Sequence, residues 1–355
     1  MASLGRGHAC RARSVIEMLK GEYEFFVFTS GESYEYLEPL YSRDPRVHLI
    51  NIEPPLVFGY TRRGRVSYLR TGRIVARYLR RFPLVIRAVE RHIRCDRPAL
   101  CIADCEPTLP RAARRYRVPL LNFGAHSLFV VNDLSSLPLG MRTYARVIRG
   151  YCRVVFGRAD RWVVSHFVAY PIREELEGSA RVIGSVLRQE VLERTPVDGR
   201  FLLAYLRDTS ISRSVLEALR GCGRRVKIYG LSASVRIPAD NIEYHPLGET
   251  FLHDLVRCEA VISTAGNQLI GEAFHLGKPV FGFPEPNHME QALNAHFLRD
   301  SKGGDCVRRS RFTSQAIEAF LARLEVWKGN IEHAPRNGNE EIVNEIRSMM
   351  NGRRV

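Results

Sequence analysis

The 355-residue chain lacks any apolar run long enough to cross a bilayer, and its first residues carry no signal-peptide pattern. Its eight cysteines are scattered, with no C-x-x-C pair and no Cys/His cluster at zinc spacing; the closest pair is Cys101 and Cys105. That spacing argues against a disulfide scaffold or a structural zinc site, and reads as reduced thiols in a cytoplasmic protein. No internal repeat or low-complexity tract stands out. Acidic residues are in deficit, 38 against 53 lysines and arginines, for a formal net charge of +15. Such an excess suits nucleic acid, anionic headgroups or acidic substrates. The arginines, however, lack the interleaved aromatics of a single-strand binder, and no helix-turn-helix or zinc module accompanies them, which argues against nucleic acid.

What is present is a globular composition, 45% hydrophobic and 26% charged, at a length that suits two domains. The basic excess is concentrated in residues 60–97, where twelve arginines from Arg62 to Arg97 face only Glu90 and Asp96. Helices from Ser67 to Arg94 carry an apolar stripe including Leu69, Ile74, Leu79, Val85, Ile86 and Val89. A basic amphipathic helix of this kind suits contact with anionic lipid, so the 62–94 stretch is a candidate peripheral membrane contact. The same pattern also describes a helix packed on its own domain with its arginines in water.

The most informative stretch is Val261 to Leu298. An apolar run ending at Ser263-Thr264 reads as a buried strand, Ala265-Gly266-Asn267 as a tight turn, and Gln268 to Leu276 as a helix closed by Gly277. The strand Pro279 to Phe283 follows. A helix N-terminus offers unpaired N–H groups and partial positive charge, and a glycine there admits a phosphate. Glu272 sits one turn in, within reach of ribose hydroxyls, and Glu290 and Gln291 follow the second strand at the same mouth, the usual ligand position in an open α/β sheet. An ordinary βαβ unit with a solvated Glu and Gln fits the local pattern too.

At the other end, Gly5-Arg6-Gly7-His8 with Arg11 reads as a glycine loop opening a helix from Arg11 to Leu19, with His8 at the entrance. A histidine there can act as a general base if a carboxylate orients its other ring nitrogen. A doubly wound domain needs a strand before this loop, and only Met1 to Leu4 are available; they read as the stump of a longer strand whose native start lies upstream. Asp104-Cys105-Glu106-Pro107 closes the strand Ala99 to Ala103, where an open parallel sheet presents catalytic groups. Strands also fit Glu24 to Thr29, Val118 to Phe123, Arg161 to Ser165 and Phe201 to Leu206, and the tail from about Glu340 to Met350 reads as a short amphipathic helix.

The run Gly266, Glu272, Gly277-Lys278-Pro279 and Glu290-Gln291-Ala292-Leu293-Asn294-Ala295 resembles the nucleotide-sugar signature of GT-B glycosyltransferases. The start G-x-G-H-x-x-R and the later D-x-E-P resemble a subgroup of that superfamily, akin to the UDP-glycosyltransferases and the GlcNAc transferase of peptidoglycan lipid synthesis. The resemblance implies two Rossmann-like doubly wound domains facing a central cleft: 1–176 for the acceptor, 177–335 for the nucleotide sugar, and 336–355 as a helix packing back on the first domain. It implies His8 and Asp104 as a base dyad, with Glu106 second in rank for touching the acceptor. Gly266, Asn267 and Gln268 would meet the diphosphate, Glu272 the ribose, and Glu290 and Gln291 the sugar hydroxyls, with Asn294 bracing the loop. Arg188, in a stretch similar to the family's G-P-(I/V)-L-R element, and Arg207, Thr209 and Ser210 would face the phosphates, and the loop at Leu247 would frame the base.

The implied activity is inverting, metal-independent transfer of a sugar, most commonly from a UDP-sugar, to a hydroxyl of a glycan, a lipid-linked acceptor or a small molecule. No D-x-D pair is placed to hold a divalent ion, and no cofactor is expected. The expected location is the cytoplasm, or the inner face of the membrane. A UDP-GlcNAc 2-epimerase of the same fold, a nucleic-acid-binding protein and an inactive nucleotide-binding homologue are the rival readings.

Overall fold

The computed structural model describes residues 1, 6–52, 59–61, 66–208, 211–331 and 337–352. The chain divides into two compact units. Unit 1 comprises Met1–Val57, Gly72–Gln189 and Pro335–Val355, and unit 2 comprises Phe58–Thr71 and Glu190–Ala334.

In unit 1, β1 (Phe25–Thr29) pairs in parallel with β2 (Val47–Asn51). A second parallel sheet has the order β3 (Cys101–Ala103), β4 (Leu120–Phe123), β5 (Arg161–Ser165) and β6 (Ala180–Ile183). The stump expected at Met1 to Leu4 lies largely outside the described residues; the Met1 amino group donates to Phe28 O at 2.7 Å. The first helix starts at Arg6, not Arg11, and buries Ala9, Val15, Ile16 and Leu19. Val15 and Leu19 join Leu121, Phe123 and Val163 of the sheet and Ile342, Val343 and Ile346 of the last helix, Asn339–Asn351, in one core. Each such side chain contributes about 1.5–3 kcal/mol by leaving water. That last helix is also pinned by polar contacts. Asn339 Oδ1 accepts from Leu187 N at 2.8 Å and its Nδ2 donates to Leu187 O at 2.9 Å. Buried Glu345 pairs with Arg161 and Arg181.

The sequence placed a domain boundary at 176. Strand β6 instead extends the first sheet by pairing with β5, so unit 1 runs on to Gln189. The arginine-rich segment is one helix, Tyr68–Asp96. Its buried face is Tyr78, Val85, Val89 and Ile93, at spacings of seven and four, so Leu69 and Leu79 of the expected stripe fall outside it and are exposed.

Unit 2 is a six-stranded parallel sheet made of β7 (Phe201–Tyr205), β8 (Arg225–Tyr229), β9 (Ile242–His245), β10 (Ala260–Ser263), β11 (Val280–Gly282) and β12 (Gly304–Cys306). Its order is β12-β11-β10-β7-β8-β9. The central strands are apolar on both faces, as expected of a sheet covered on both sides by helices; Leu202, Leu203, Val261 and Ile262 are all buried. Strand order reverses between β7 and β10, whose ends pair at Tyr205 and Ser263. The loops leaving these two strands diverge there, opening the crevice where doubly wound sheets bind ligands.

Candidate active site

Because the first helix begins at Arg6, His8 and Arg11 lie one turn apart on one face. Between them stands Asp104, delivered by the end of β3. His8 Nδ1 is 2.9 Å from Asp104 Oδ1, off the line of a good hydrogen bond. Arg11 donates to Asp104 Oδ2 from Nη2 at 2.7 Å and from Nε at 3.2 Å, and its Nη2 is 3.0 Å from His8 Nδ1. Arg11 and Asp104 are both buried. Burial alone would raise the Asp104 carboxyl; the Arg11 charge, then His8, outweigh it and hold the group well below the usual carboxylate range. Asp104 therefore stays ionised, and the imidazole presents Nε2 as the atom left to meet a substrate.

Two further groups shape this site. Gly124, just past β4, has φ +142°, and a Cβ on it would lie 2.4 Å from Asp104 Oδ1, so only glycine admits the carboxylate. The His126 ring stacks on His8 with centroids 5.7 Å apart. Glu106 is occupied otherwise. Its Oε1 accepts from Thr108 N (2.8 Å) and Thr108 Oγ1 (2.5 Å), and its Oε2 from Leu109 N (2.8 Å), capping the helix Thr108–Arg115.

In unit 2 the helix Asn267–His275 starts at the switch point. The left-handed residue of the turn is Ala265 (φ +61°), not Gly266, which is extended at φ −76°. Gly266 is exposed, and a Cβ there would meet no protein atom within 4 Å, so no protein contact requires a glycine at this position. Ala265 is held from both sides, its N–H donating to Ser263 Oγ at 3.2 Å and its carbonyl accepting from buried Asn294 Nδ2 at 3.0 Å. Gln268 Nε2 donates to Glu272 Oε1 at 3.3 Å, and both residues are buried, as is Asn267. Gln291 Oε1 accepts from Glu285 N at 2.7 Å, which leaves its amide N–H groups for a ligand; Glu290 is half-buried beside it at the start of the helix Met289–Asp300.

Arg207 leaves the end of β7 and Leu247 the end of β9, both half-buried on the same edge of the sheet. Thr209 and Ser210 lie outside the described residues. Arg188 falls in unit 1, near Tyr36. The structure thus gathers His8 with Asp104 in one unit, and Gly266, Asn267, Gln268, Glu272, Glu290, Gln291, Arg207 and Leu247 along one edge of the other. Sequence reasoning left Arg11, Gly124 and His126 without roles. The i, i+3 spacing of Arg11 from His8 was the available signal.

Two Rossmann-like units, one with a helical histidine beside a strand-end aspartate and one with a glycine turn leading into a helix at its switch point, have the architecture of a GT-B glycosyltransferase. Residues 1–325 match the family described as glycosyl transferase family 1, and the chain belongs to that family. As such it is an enzyme that moves a sugar from a nucleotide-sugar donor to an acceptor. The calicheamicin glycosyltransferase CalG4 superposes over 100% of this chain and 98% of its own, with a TM-score of 0.70 at 16% identity. MurG of Acinetobacter baumannii superposes over 98% and 97%, with a TM-score of 0.59 at 14% identity. In sequence, 79 residues are 33% identical to the UDP-N-acetylglucosamine–N-acetylmuramyl-(pentapeptide) pyrophosphoryl-undecaprenol N-acetylglucosamine transferase of Granulibacter bethesdensis, covering 22% of this chain and 21% of that protein.

Proposed function

We propose that the enzyme transfers the sugar of a UDP-sugar to an acceptor hydroxyl with inversion and without a divalent metal ion. The observation that carries this reading is the ionised, buried Asp104 2.9 Å from His8 Nδ1. The active tautomer carries its proton on Nδ1, directed at Asp104 Oδ1, with the Arg11 guanidinium bonded to Asp104 Oδ2, and so leaves Nε2 as the base. Nε2 takes the acceptor O–H proton as that oxygen bonds to the anomeric carbon. The bond from that carbon to the diphosphate breaks, and UDP leaves with the electron pair. One displacement inverts the centre. The helix N-terminus at Asn267 and the Arg207 guanidinium supply positive charge where the leaving diphosphate gains negative charge, which is the work a metal ion would otherwise do. Glu272 accepts from the ribose, and Glu290 and Gln291 hold the sugar. Solved relatives of the same fold support uracil as the base: LpCGTa was captured with UDP and Phytolacca americana UGT2 with UDP-2-fluoro-glucose.

The acceptor in this reading is a lipid-linked or cell-envelope glycan, met at the inner membrane surface. Its support is the outward face of the helix Tyr68–Asp96, where exposed Leu79 and Leu84 sit among Arg77, Arg80, Arg81 and Arg87. No helix among the described residues is long and apolar enough to span a membrane; the contact proposed here is a peripheral one. The test incubates the enzyme with UDP-sugars and glycan or polyprenyl acceptors in EDTA, and reads UDP release and the anomeric configuration of the product by NMR. A glycoside of inverted configuration is expected. A retained configuration, strict metal dependence, or a new sugar nucleotide without transfer would sink the reading. Sedimentation with phosphatidylglycerol vesicles but not phosphatidylcholine vesicles is expected in parallel.

A further inference from the structure

Glu285 is a carboxylate on the donor side with no role in the arrangement above. It follows β11 and is only 3% exposed. Its backbone is fixed on two sides. Gln291 holds its N–H, and the next two residues are fastened to the segment that unit 2 borrows from early in the chain. Val66 N donates to Pro286 O at 3.4 Å, Asn287 Nδ2 donates to Val66 O at 3.5 Å, and the Tyr68 hydroxyl donates to Asn287 O at 3.2 Å. On that same segment, Tyr60 bridges to Val66 and its hydroxyl hydrogen-bonds the Glu285 carboxylate. Burial first, then the Glu285 charge, push the Tyr60 phenol well above its usual range, so it remains a donor. Arg207 and Glu290, both given donor roles in the reading above, also act electrostatically on this phenol.

Glu285 Oε2 is buried and has no hydrogen-bond partner among the described residues. A buried carboxylate oxygen without a donor is costly. It would repel a diphosphate, and it suits a group that brings its own hydrogens. We propose that Glu285 Oε2 accepts a hydrogen bond from a hydroxyl of the donor's sugar, and that Tyr60 is the positioning residue that fixes the carboxylate for it. The pair then selects for a hexose bearing a free hydroxyl at that point of the ring and against the corresponding deoxy sugar. This rests on the donor reading above.

The test is calorimetric binding of UDP, GDP and dTDP, and of the hexose conjugates of whichever binds, to the wild type, Glu285→Gln and Tyr60→Phe. The wild type should bind a hexose conjugate more tightly than the bare diphosphate. Glu285→Gln should weaken the conjugate by about tenfold or more, leaving the bare diphosphate within about twofold. Tyr60→Phe should weaken it less, in the same direction. Equal weakening of both ligands would make Glu285 a purely structural residue, and no change in either would overturn the contact; both leave the donor site standing. A wild type whose hexose conjugates gain nothing over the diphosphate also overturns the proposal. A folded wild type that binds no nucleotide would instead remove the donor reading, and this inference with it.

Discussion

Asp104→Asn exposes the balance on which the candidate base depends. The substitution keeps shape but removes the charge that buried Arg11 faces through two bonds at 2.7 and 3.2 Å. An uncompensated buried guanidinium costs about 3–5 kcal/mol. The pH dependence follows from the depressed Asp104 carboxyl. Between the folded and unfolded pKa values the unfolded chain binds more protons, so the stabilisation is complete above about pH 4–5, near the unfolded aspartate value, and is lost as pH falls toward the folded one. The asparagine variant has no such group. Its deficit should therefore be largest near neutrality and narrow as the pH drops below about 4. The chain has two tryptophans, buried Trp162 in β5 of unit 1 and buried Trp327 in unit 2. Urea unfolding followed by fluorescence in a Trp327→Phe background thus reports the unit that holds Asp104. Equal midpoints at pH 7, or a deficit unchanged down to pH 3.5, would refute the pairing described here.

Glu272→Ala should lower UDP affinity by about tenfold or more, as expected for a lost hydrogen bond to a charged group, and should also lower the melting temperature, because buried Gln268 loses its acceptor; titration calorimetry checks the first and a thermal melt the second. Gly124→Ala forces a methyl group to 2.4 Å from Asp104 Oδ1, and turnover should fall at least about tenfold while nucleotide affinity is kept. Asn294→Ala leaves the Ala265 carbonyl without its buried donor and should cost about 1–3 kcal/mol in the unit 2 transition, read through Trp327. Ala265→Gly should move the other way, by up to about 1 kcal/mol, because the left-handed backbone there penalises a Cβ.

The donor side was legible from sequence because its residues are close neighbours in the chain. Within 261–298 a strand, a turn and a helix follow one another, and local periodicity suffices to place Glu272 one turn from Gly266. Even there, nothing local marks Ala265 as the left-handed residue of the turn, because what holds it is Asn294 from 29 positions away. On the other side, His8 and Asp104 each stood out locally, but their pairing was legible only by resemblance. Asp104 and Arg11 are 93 residues apart, and nothing local reveals that they meet. Glu106, read second in rank for touching the acceptor, sits two residues before a helix start, and that place turns it into a cap. The boundary at 176 failed for a similar reason: β6 is short and half-polar, and only its pairing with β5 makes it part of the first sheet.

The helix Asn339–Asn351 carries a consequence for how the chain matures. Ile342, Val343 and Ile346 complete a core begun by Val15, Leu121 and Val163, yet all of Glu190–Ala334 is synthesised between them. On the ribosome the sheet of unit 2 has every strand available by Cys306, while unit 1 still presents the apolar surface that its last helix will cover. Domains usually mature from the N-terminus onward. Here the unit that is begun first is finished last, and its apolar face stays uncovered until the final turns of helix emerge.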